Sequence, residues 1–261
     1  MAIETFKRYE NKYMLEIRTM NQLQRQLAAH MELDGFNQNG QTYSISNIYF
    51  DTPDSYLIRN SLQKPSYKEK LRLRSYGVPG LETKVFLEIK KKYRGIVNKR
   101  RSSIKLADAY TFVEDGKIPD EQPYHNRQVL REIAYILQTY ELQPRLYLAY
   151  DRMAYFHCQD KNLRISFDTN IRSRRTDLRL EAGDWGEQLL EPGQWLMEIK
   201  VADNLPFWLA RLLSDLEIRP VSFSKYGSEY IHWLGEQQQE SRIITFPSLI
   251  PQTAGVLRVR A

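Results

Sequence analysis

One cysteine, Cys158, in 261 residues leaves this chain no intramolecular disulfide and no cysteine-cluster metal site. It stands by the turn-like stretch CQDKN with no evident base partner, which suits an inert thiol. No apolar run approaches the ~18 residues that a membrane helix needs. The opening MAIETFKRYENKYML has no apolar core of signal-peptide length. These absences give the expectation of a soluble protein of the cytosol or of a cytosol-facing surface. The G-x-x-x-x-G-K-[ST] and G-x-G-x-x-G phosphate loops are missing, as is the G-x-S-x-G nucleophile elbow. The four histidines, His30, His125, His157 and His232, are too scattered for any zinc spacing. Acyl transfer and zinc hydrolysis are therefore poor candidates. Phosphoryl transfer survives the exclusions, because it asks for positioning and cations more than for a reactive side chain.

Positive charge is abundant. The net charge of +6 favours an anionic partner, and 42% hydrophobic residues are enough for a full-sized core. No internal repeat and no Gly, Ser or Pro-rich linker divides the chain. One domain over residues 1–240 is expected, with 241–261 as an aperiodic C-terminal arm.

Eight segments rich in Tyr, Ile, Val, Leu and Phe read as strands: RYENKYMLEI, YSISNIYFDT, EKLRLRSYG, KVFLEIKKKY, IVNKRRSSIKL, RLYLAYDRMAYF, LRISFDTNI and QWLMEIKVA. Helical spacing of apolar residues marks EIRTMNQLQRQLAAHM, NRQVLREIAYILQTYEL and LPFWLARLLSDLEI. PDSYLIRNSL places Pro53 where a first helical turn accepts proline, and SKYGSEYIHWLGEQ follows serine caps at Ser222 or Ser224.

The strands share a peculiarity. Lys70, Arg72 and Arg74 alternate with Leu71 and Leu73, a period of two that puts all the cations on one face. Glu88, Lys90, Lys92 and Arg94 oppose Leu87 and Ile89. Arg8, Glu10 and Lys12 share a face, as do Lys99, Arg101 and Ser103. Arg164, Ser166 and Asp168 oppose Ile165 and Phe167, and Glu198 and Lys200 oppose Met197 and Ile199. A wet sheet face explains any one strand. Repetition with such an excess of Lys and Arg favours another arrangement. The oily faces point outward under the apolar helix stripes, and the charged faces line a hydrated channel that takes a polyanion. The expectation is an α+β protein, an antiparallel β-barrel tunnel of about eight strands with helices packed outside.

The motifs ENKY, NIYFDTPD, KLRLRSYG, FLEIKKK, YDRMAYF, RISFDT, LMEIKV and FSKYGSEY occur in the order seen in VTC-type polyphosphate polymerase domains. These belong to the triphosphate tunnel metalloenzyme superfamily, and the resemblance runs from about Lys7 to about Trp233. It implies a tunnel that binds ATP and inorganic polyphosphate. It also implies transfer of the ATP γ-phosphate onto the growing chain with a divalent metal, typically manganese, or magnesium. Carried over, Lys12 resembles a first-strand phosphate ligand, Arg72 and Arg74 paired phosphate clamps, and Lys90 another. Tyr150 and Arg152 resemble nucleotide or phosphate contacts, and Arg164 a further clamp. Lys99, Arg101 and Lys200 join the substrate-binding set. Glu198 resembles the metal carboxylate, with Glu10 as a second metal contact. Ser224 and Lys225 resemble a phosphate site at a helix start. Glu88 stays open between metal ligand and ion-pair partner.

One departure bears on activity. The superfamily's hydrolases open with Glu-x-Glu-x-Lys, and here the pattern reads Arg8-x-Glu10-x-Lys12, which suits the polymerase branch. A non-catalytic polyphosphate- or nucleotide-binding module and a tripolyphosphatase remain as alternatives. Nucleic acid is not expected, because the cations alternate along strands and no aromatic stacking signature is evident on a sheet face. No membrane segment is expected either, so a membrane partner would be a separate chain.

Overall fold

The computed structural model describes residues 9–94 and 96–244, and in them the period-two segments pair into one antiparallel sheet. Its strands are β1 (Tyr9–Glu16), β2 (Met31–Leu33), β3 (Tyr43–Asp51), β4 (Tyr67–Tyr76), β5 (Lys84–Tyr93), β6 (Ile96–Lys105), β7 (Gln143–His157), β8 (Arg164–Arg174), β9 (Glu187–Gln188) and β10 (Gln194–Val201). Neighbours run β1-β10-β8-β7-β3-β4-β5-β6, with β2 added to β7 and β9 to β8. The eight strands of that path are the eight expected ones. The sheet curls around a cavity lined by both of its edges, β1 and β6, although no ladder joins them among the described residues. It is a barrel-like tunnel with an open seam.

The helices are α1 (Ile17–Leu27), α2 (Tyr56–Leu62), α3 (Leu106–Asp115), α4 (Arg127–Thr139), α5 (Phe207–Asp215) and α6 (Lys225–Ile244). The oily strand faces do point outward. Leu71, Leu73, Leu87, Ile89 and Ile104 are buried with Phe112 of α3 and Leu130 and Ile133 of α4. Ile165, Phe167, Met197 and Ile199 are buried with Met20, Leu23 and Leu27 of α1 and Leu209 and Leu213 of α5. Each fully buried Leu or Ile contributes about 1.5–3 kcal/mol, so these two layers fix which face is left for the interior.

Three features differ from expectation. The interior is not charged throughout. Ile45, Tyr49, Leu148, Tyr150 and Leu196 form an apolar plug with Ile58 of α2 and Tyr226 and Tyr230 of α6. Next, α2 begins at Tyr56 rather than at Pro53. Ser55 adopts a left-handed φ of 59°, and the buried carboxylate of Asp51 accepts from the Leu57 and Ile58 amides at 2.8 and 3.0 Å. The cap comes from the strand, not from the residue before the helix. Finally, α3 was not among the expected helices, and it ends on Gly116 at φ 70°.

The last helix follows Ser224 as expected, and Ser224 Oγ accepts from the Gly227 amide at 3.2 Å. It continues to Ile244. Residues 245–261 of the expected arm, and Arg8 of the first motif, lie outside the described residues. No described helix is long and apolar enough to cross a membrane.

Candidate functional site

Inside the barrel lies a cavity of about 1010 Å³, bounded by β1, β4, β5, β6, β8, β10, α2 and the segment 220–224. Ten of its lining residues are Lys or Arg and one, Glu10, is acidic. Of the expected site residues, Glu10, Lys12, Lys90, Lys99, Arg101, Arg164, Lys200 and Ser224 line it. Arg72, Arg74, Tyr150, Arg152, Glu198 and Lys225 do not. They form a buried layer of ion pairs behind the cavity wall.

That layer has three anions. Asp168, fully buried, accepts from Arg152 through two parallel bonds of 2.6 and 2.8 Å and from Lys225 at 2.5 Å. Burial would raise its carboxyl, but Arg152 and Lys225 outweigh burial and hold it below the usual range. Glu198 meets Lys200 at 3.1 Å and both Lys12 and Lys225 at 3.3 Å. Burial opposes its charge too, and Lys225, Lys200, Lys12 and Arg152 together hold it well below the usual range. Glu88 is the third, 2.7 Å from Arg72 and 2.9 Å from Lys99. Against burial, Arg72, Arg74 and Lys99 keep it far down. Glu88 is thus an ion-pair partner in the empty protein, as Glu198 is. Arg74 is held by Asn47 Oδ1 at 3.0 Å and Tyr150 OH at 3.3 Å.

The cavity wall itself is different. Lys64, Lys68, Lys70, Lys90, Lys92 and Arg101 line it with no carboxylate in ion-pair reach among the described residues. Lys70 lies over the Tyr226 ring, 5.9 Å from its centre. Burial pushes its ammonium down to about 8, with Tyr49 pulling the other way and Lys90, Lys68 and Lys12 adding repulsion. Lys90 is likewise lowered by burial, opposed by Glu10. Lys90, Lys64 and Arg101 are exposed and Lys70 is half-buried, so the cost of an unpaired ammonium falls chiefly on Lys70.

The metal candidates, Glu10 and Glu198, sit diagonally on adjacent strands. Glu10 is cross-strand to Lys200 and Glu198 to Lys12. Lys12 and Lys200 each contact both carboxylates, at 3.1–3.8 Å. Burial opposes ionisation of Glu10 as well, and Lys200, Lys90 and Lys12 lower it despite Glu198. No group of three His, Cys, Asp or Glu able to enclose a metal occurs among the described residues. Two ionised carboxylates fit a magnesium- or manganese-type ion completed by substrate phosphates rather than an all-protein cage.

A family profile described as the VTC domain matches residues 7–233. The chain belongs to the VTC domain family. Two curated relatives of this VTC domain are vacuolar transporter chaperone complex subunits 4. One, from Schizosaccharomyces pombe, is 25% identical over 203 residues, covering 69% of this chain and 28% of the relative. The other, from Trypanosoma cruzi, is 24% identical over 270 residues, covering 86% and 34%. The chain thus spans about a third of the length of these relatives. Among solved structures, a Bacillus halodurans protein described as a candidate adenylate cyclase superposes with a TM-score of 0.50 at 16% identity. It covers 82% of this chain and 92% of its own, and it shows the triphosphate tunnel fold alone.

Sequence reasoning missed two parts of the site. Asp168 was visible on the face of Arg164 and Ser166, but not as the anion that binds both Arg152 and Lys225. Lys70 and Lys92 line the cavity on the charged faces where the period-two pattern places them, but Lys68, one step further along the face of Lys70, and Lys64 were not among the expected lining residues.

Proposed function

We propose that this VTC domain binds ATP and inorganic polyphosphate in its tunnel and transfers the γ-phosphate of ATP onto the end of the polyphosphate chain. The observation that carries this reading is the wall of six cations without carboxylate partners among the described residues. A polyanion supplies the missing charge. In the transfer, a terminal oxygen of the polyphosphate attacks the γ-phosphorus, the bond from that phosphorus to the β-phosphate bridging oxygen breaks, and ADP leaves with the electron pair. The attacking oxygen is already anionic, so no general base is required.

Lys12, Lys90, Lys99, Arg101, Arg164 and Lys200 hold phosphate oxygens along the wall. Arg72, Arg74, Arg152 and Lys225 have their positions fixed by Glu88, Asn47 and Asp168, which preorganises charge next to the transferring group. Tyr150 buttresses Arg74. Ser224 is occupied in capping α6, so its contribution comes from the helix start it shapes. A divalent ion, manganese or magnesium, held by Glu198 and Glu10 would neutralise charge on the transferring phosphoryl group. The relatives are named as subunits of a complex, which supports a chain that works beside partner proteins, a membrane protein among them.

The preformed pairs favour a second reading as well. Fixed cations could hold polyphosphate without turnover. Phosphorus NMR of the purified protein with ATP and manganese separates the two. Growth of an internal-phosphate signal together with ADP is the expected result. Orthophosphate with ADP would mean hydrolysis, and silence with tight polyphosphate binding would mean a binding module.

A further inference from the structure

Beyond Arg74 the interior face of the sheet changes character. Two residues on along β4 stands Tyr76, and two residues before Glu88 on β5 stands Phe86, both on the face that carries the cations. Tyr43 opens β3 on the same face as Asn47. Phe36, in the preceding loop, lies parallel to Tyr76, with ring centres 5.5 Å apart and planes 5° from coplanar. Tyr43 is 6.0 Å from Tyr76 and 5.8 Å from Phe36, and Phe86 meets Tyr76 edge-on at 6.0 Å. This corrects the expectation that no sheet face carries an aromatic stacking signature.

The cluster is open to solvent where an apolar core would not be. Phe36 is 63% exposed and Tyr76 is 40% exposed. It is also continuous with the basic wall. The cavity-lining Arg101 lies over the Phe86 ring at 4.5 Å. The Tyr43 hydroxyl is pushed up to about 12 by burial, with Arg152 and Arg164 near enough to oppose that shift. One same-face step along a strand is roughly 7 Å. A ring stacked on Phe36 or Tyr76 is therefore within a short linker of phosphates held by the cavity-lining Arg101.

We infer that Phe36, Tyr43, Tyr76 and Phe86 form a stacking site for the base of a purine nucleoside triphosphate whose phosphates enter the basic tunnel. The inference rests on the proposed nucleotide-dependent function and adds what reads the nucleoside end. An exposed aromatic face with cations at one side suits a ligand that is flat and apolar at one end and polyanionic at the other. Stacking needs only a π-face, so the site ranks bases by ring area. ATP and GTP bind alike, and both bind better than CTP or UTP.

The test is calorimetric titration of ATP, CTP and inorganic tripolyphosphate into the full chain and into Phe36→Ala, Tyr76→Ala and Phe36→Tyr. Phe36 and Tyr76 are exposed, so their truncation leaves the core untouched. The expected result is a loss of about tenfold in ATP affinity for each alanine variant. Tripolyphosphate affinity stays unchanged, and Phe36→Tyr restores ATP binding. Equal losses for ATP and tripolyphosphate, or no loss for either, overturn the stacking site. A single-stranded oligoribonucleotide that binds more tightly than ATP through Phe36 also overturns it, in favour of nucleic acid. If wild type fails to bind tripolyphosphate at all, the tunnel reading falls. The stacking site would then stand or fall separately, on whether ATP quenches the fluorescence of Phe36→Trp.

Discussion

The two halves of the tunnel handle positive charge in opposite ways. On β1, β7, β8, β10 and α6, the cations Lys12, Arg152, Lys200 and Lys225 are matched by Glu10, Asp168 and Glu198 at 2.5–3.8 Å. On β4, β5 and β6, one interior carboxylate, Glu88, serves Arg72 and Lys99, while Lys68, Lys70, Lys90, Lys92 and Arg101 face the cavity without one. The first half is complete without ligand, and its geometry is set before any phosphate arrives. The second half carries cations, Lys70 half-buried among them, whose charge the proposed polyanion would balance. On the proposed function, positioning and affinity fall to different strands of one sheet.

The largest expected effect comes from breaking the matched half. Asp168→Asn strips Arg152 of its paired carboxylate and leaves Lys225 with Glu198 alone, at 3.3 Å, and removal of one partner from a buried pair costs about 3–5 kcal/mol. Chemical denaturation should show that loss. Saturating tripolyphosphate should restore more stability to the variant than to wild type, because an anion then replaces the missing one. Equal ligand stabilisation in the two proteins would show that Asp168 lies out of reach of the bound phosphates.

Glu198→Gln should cost less, about 1–3 kcal/mol, since Lys12 and Lys200 keep Glu10 and Lys225 keeps Asp168. Its effect belongs to turnover. Metal-dependent transfer is expected to vanish while tripolyphosphate still binds. Full activity in this variant would remove Glu198 from the metal site.

Much of this division was legible in the sequence. Lys70, Arg72 and Arg74 against Leu71 and Leu73 gave the inward and outward faces of β4, because period-two alternation is a property of the strand itself. Pairing was not legible. That Asp168 rather than Glu198 takes Arg152 follows from the β7–β8 register, in which Arg152 stands opposite Asp168. A register is a long-range fact that local spacing does not carry. The same holds for Asp51, whose cap on α2 depends on where β3 ends. The apolar plug was hidden for a related reason. Ile45, Tyr49 and Leu148 read as ordinary strand residues until α2 and α6 close over them. The helix α3 was locally visible in LADAYTFVED with Gly116 behind it, and it was overlooked beside the stronger strand signal of β6.

Breaking the unmatched half should have the opposite sign for stability. Lys70→Met removes an ammonium whose pKa is depressed from 10.5 to about 8. The empty protein should gain about 1–3 kcal/mol at neutral pH. The same change should weaken tripolyphosphate binding about tenfold or more, the scale of one charged hydrogen bond. A variant that is less stable, or that binds as tightly as wild type, would place Lys70 among ordinary structural lysines.

The smallest expected effect separates the halves by pH. In the folded empty protein Lys70 loses its proton near 8, whereas in the unfolded chain it keeps it to about 10.5. Between those values the unfolded state binds more protons, so this residue makes stability rise with pH. A bound polyanion favours the ammonium, so binding above pH 8 must take up a proton. Affinity should therefore hold below 8 and fall above it, by less than tenfold per pH unit for this one lysine. Lys90, lowered in the same direction, adds to the trend. Titrations at pH 7, 8 and 9 in buffers of different ionisation enthalpy measure the uptake directly. Lys70→Met should remove the part of the uptake centred near pH 8 and leave the part from Lys99, whose ammonium burial lowers to about 7 against the pull of Glu88. Uptake near pH 8 that is unchanged in Lys70→Met would place Lys70 out of reach of the bound phosphates.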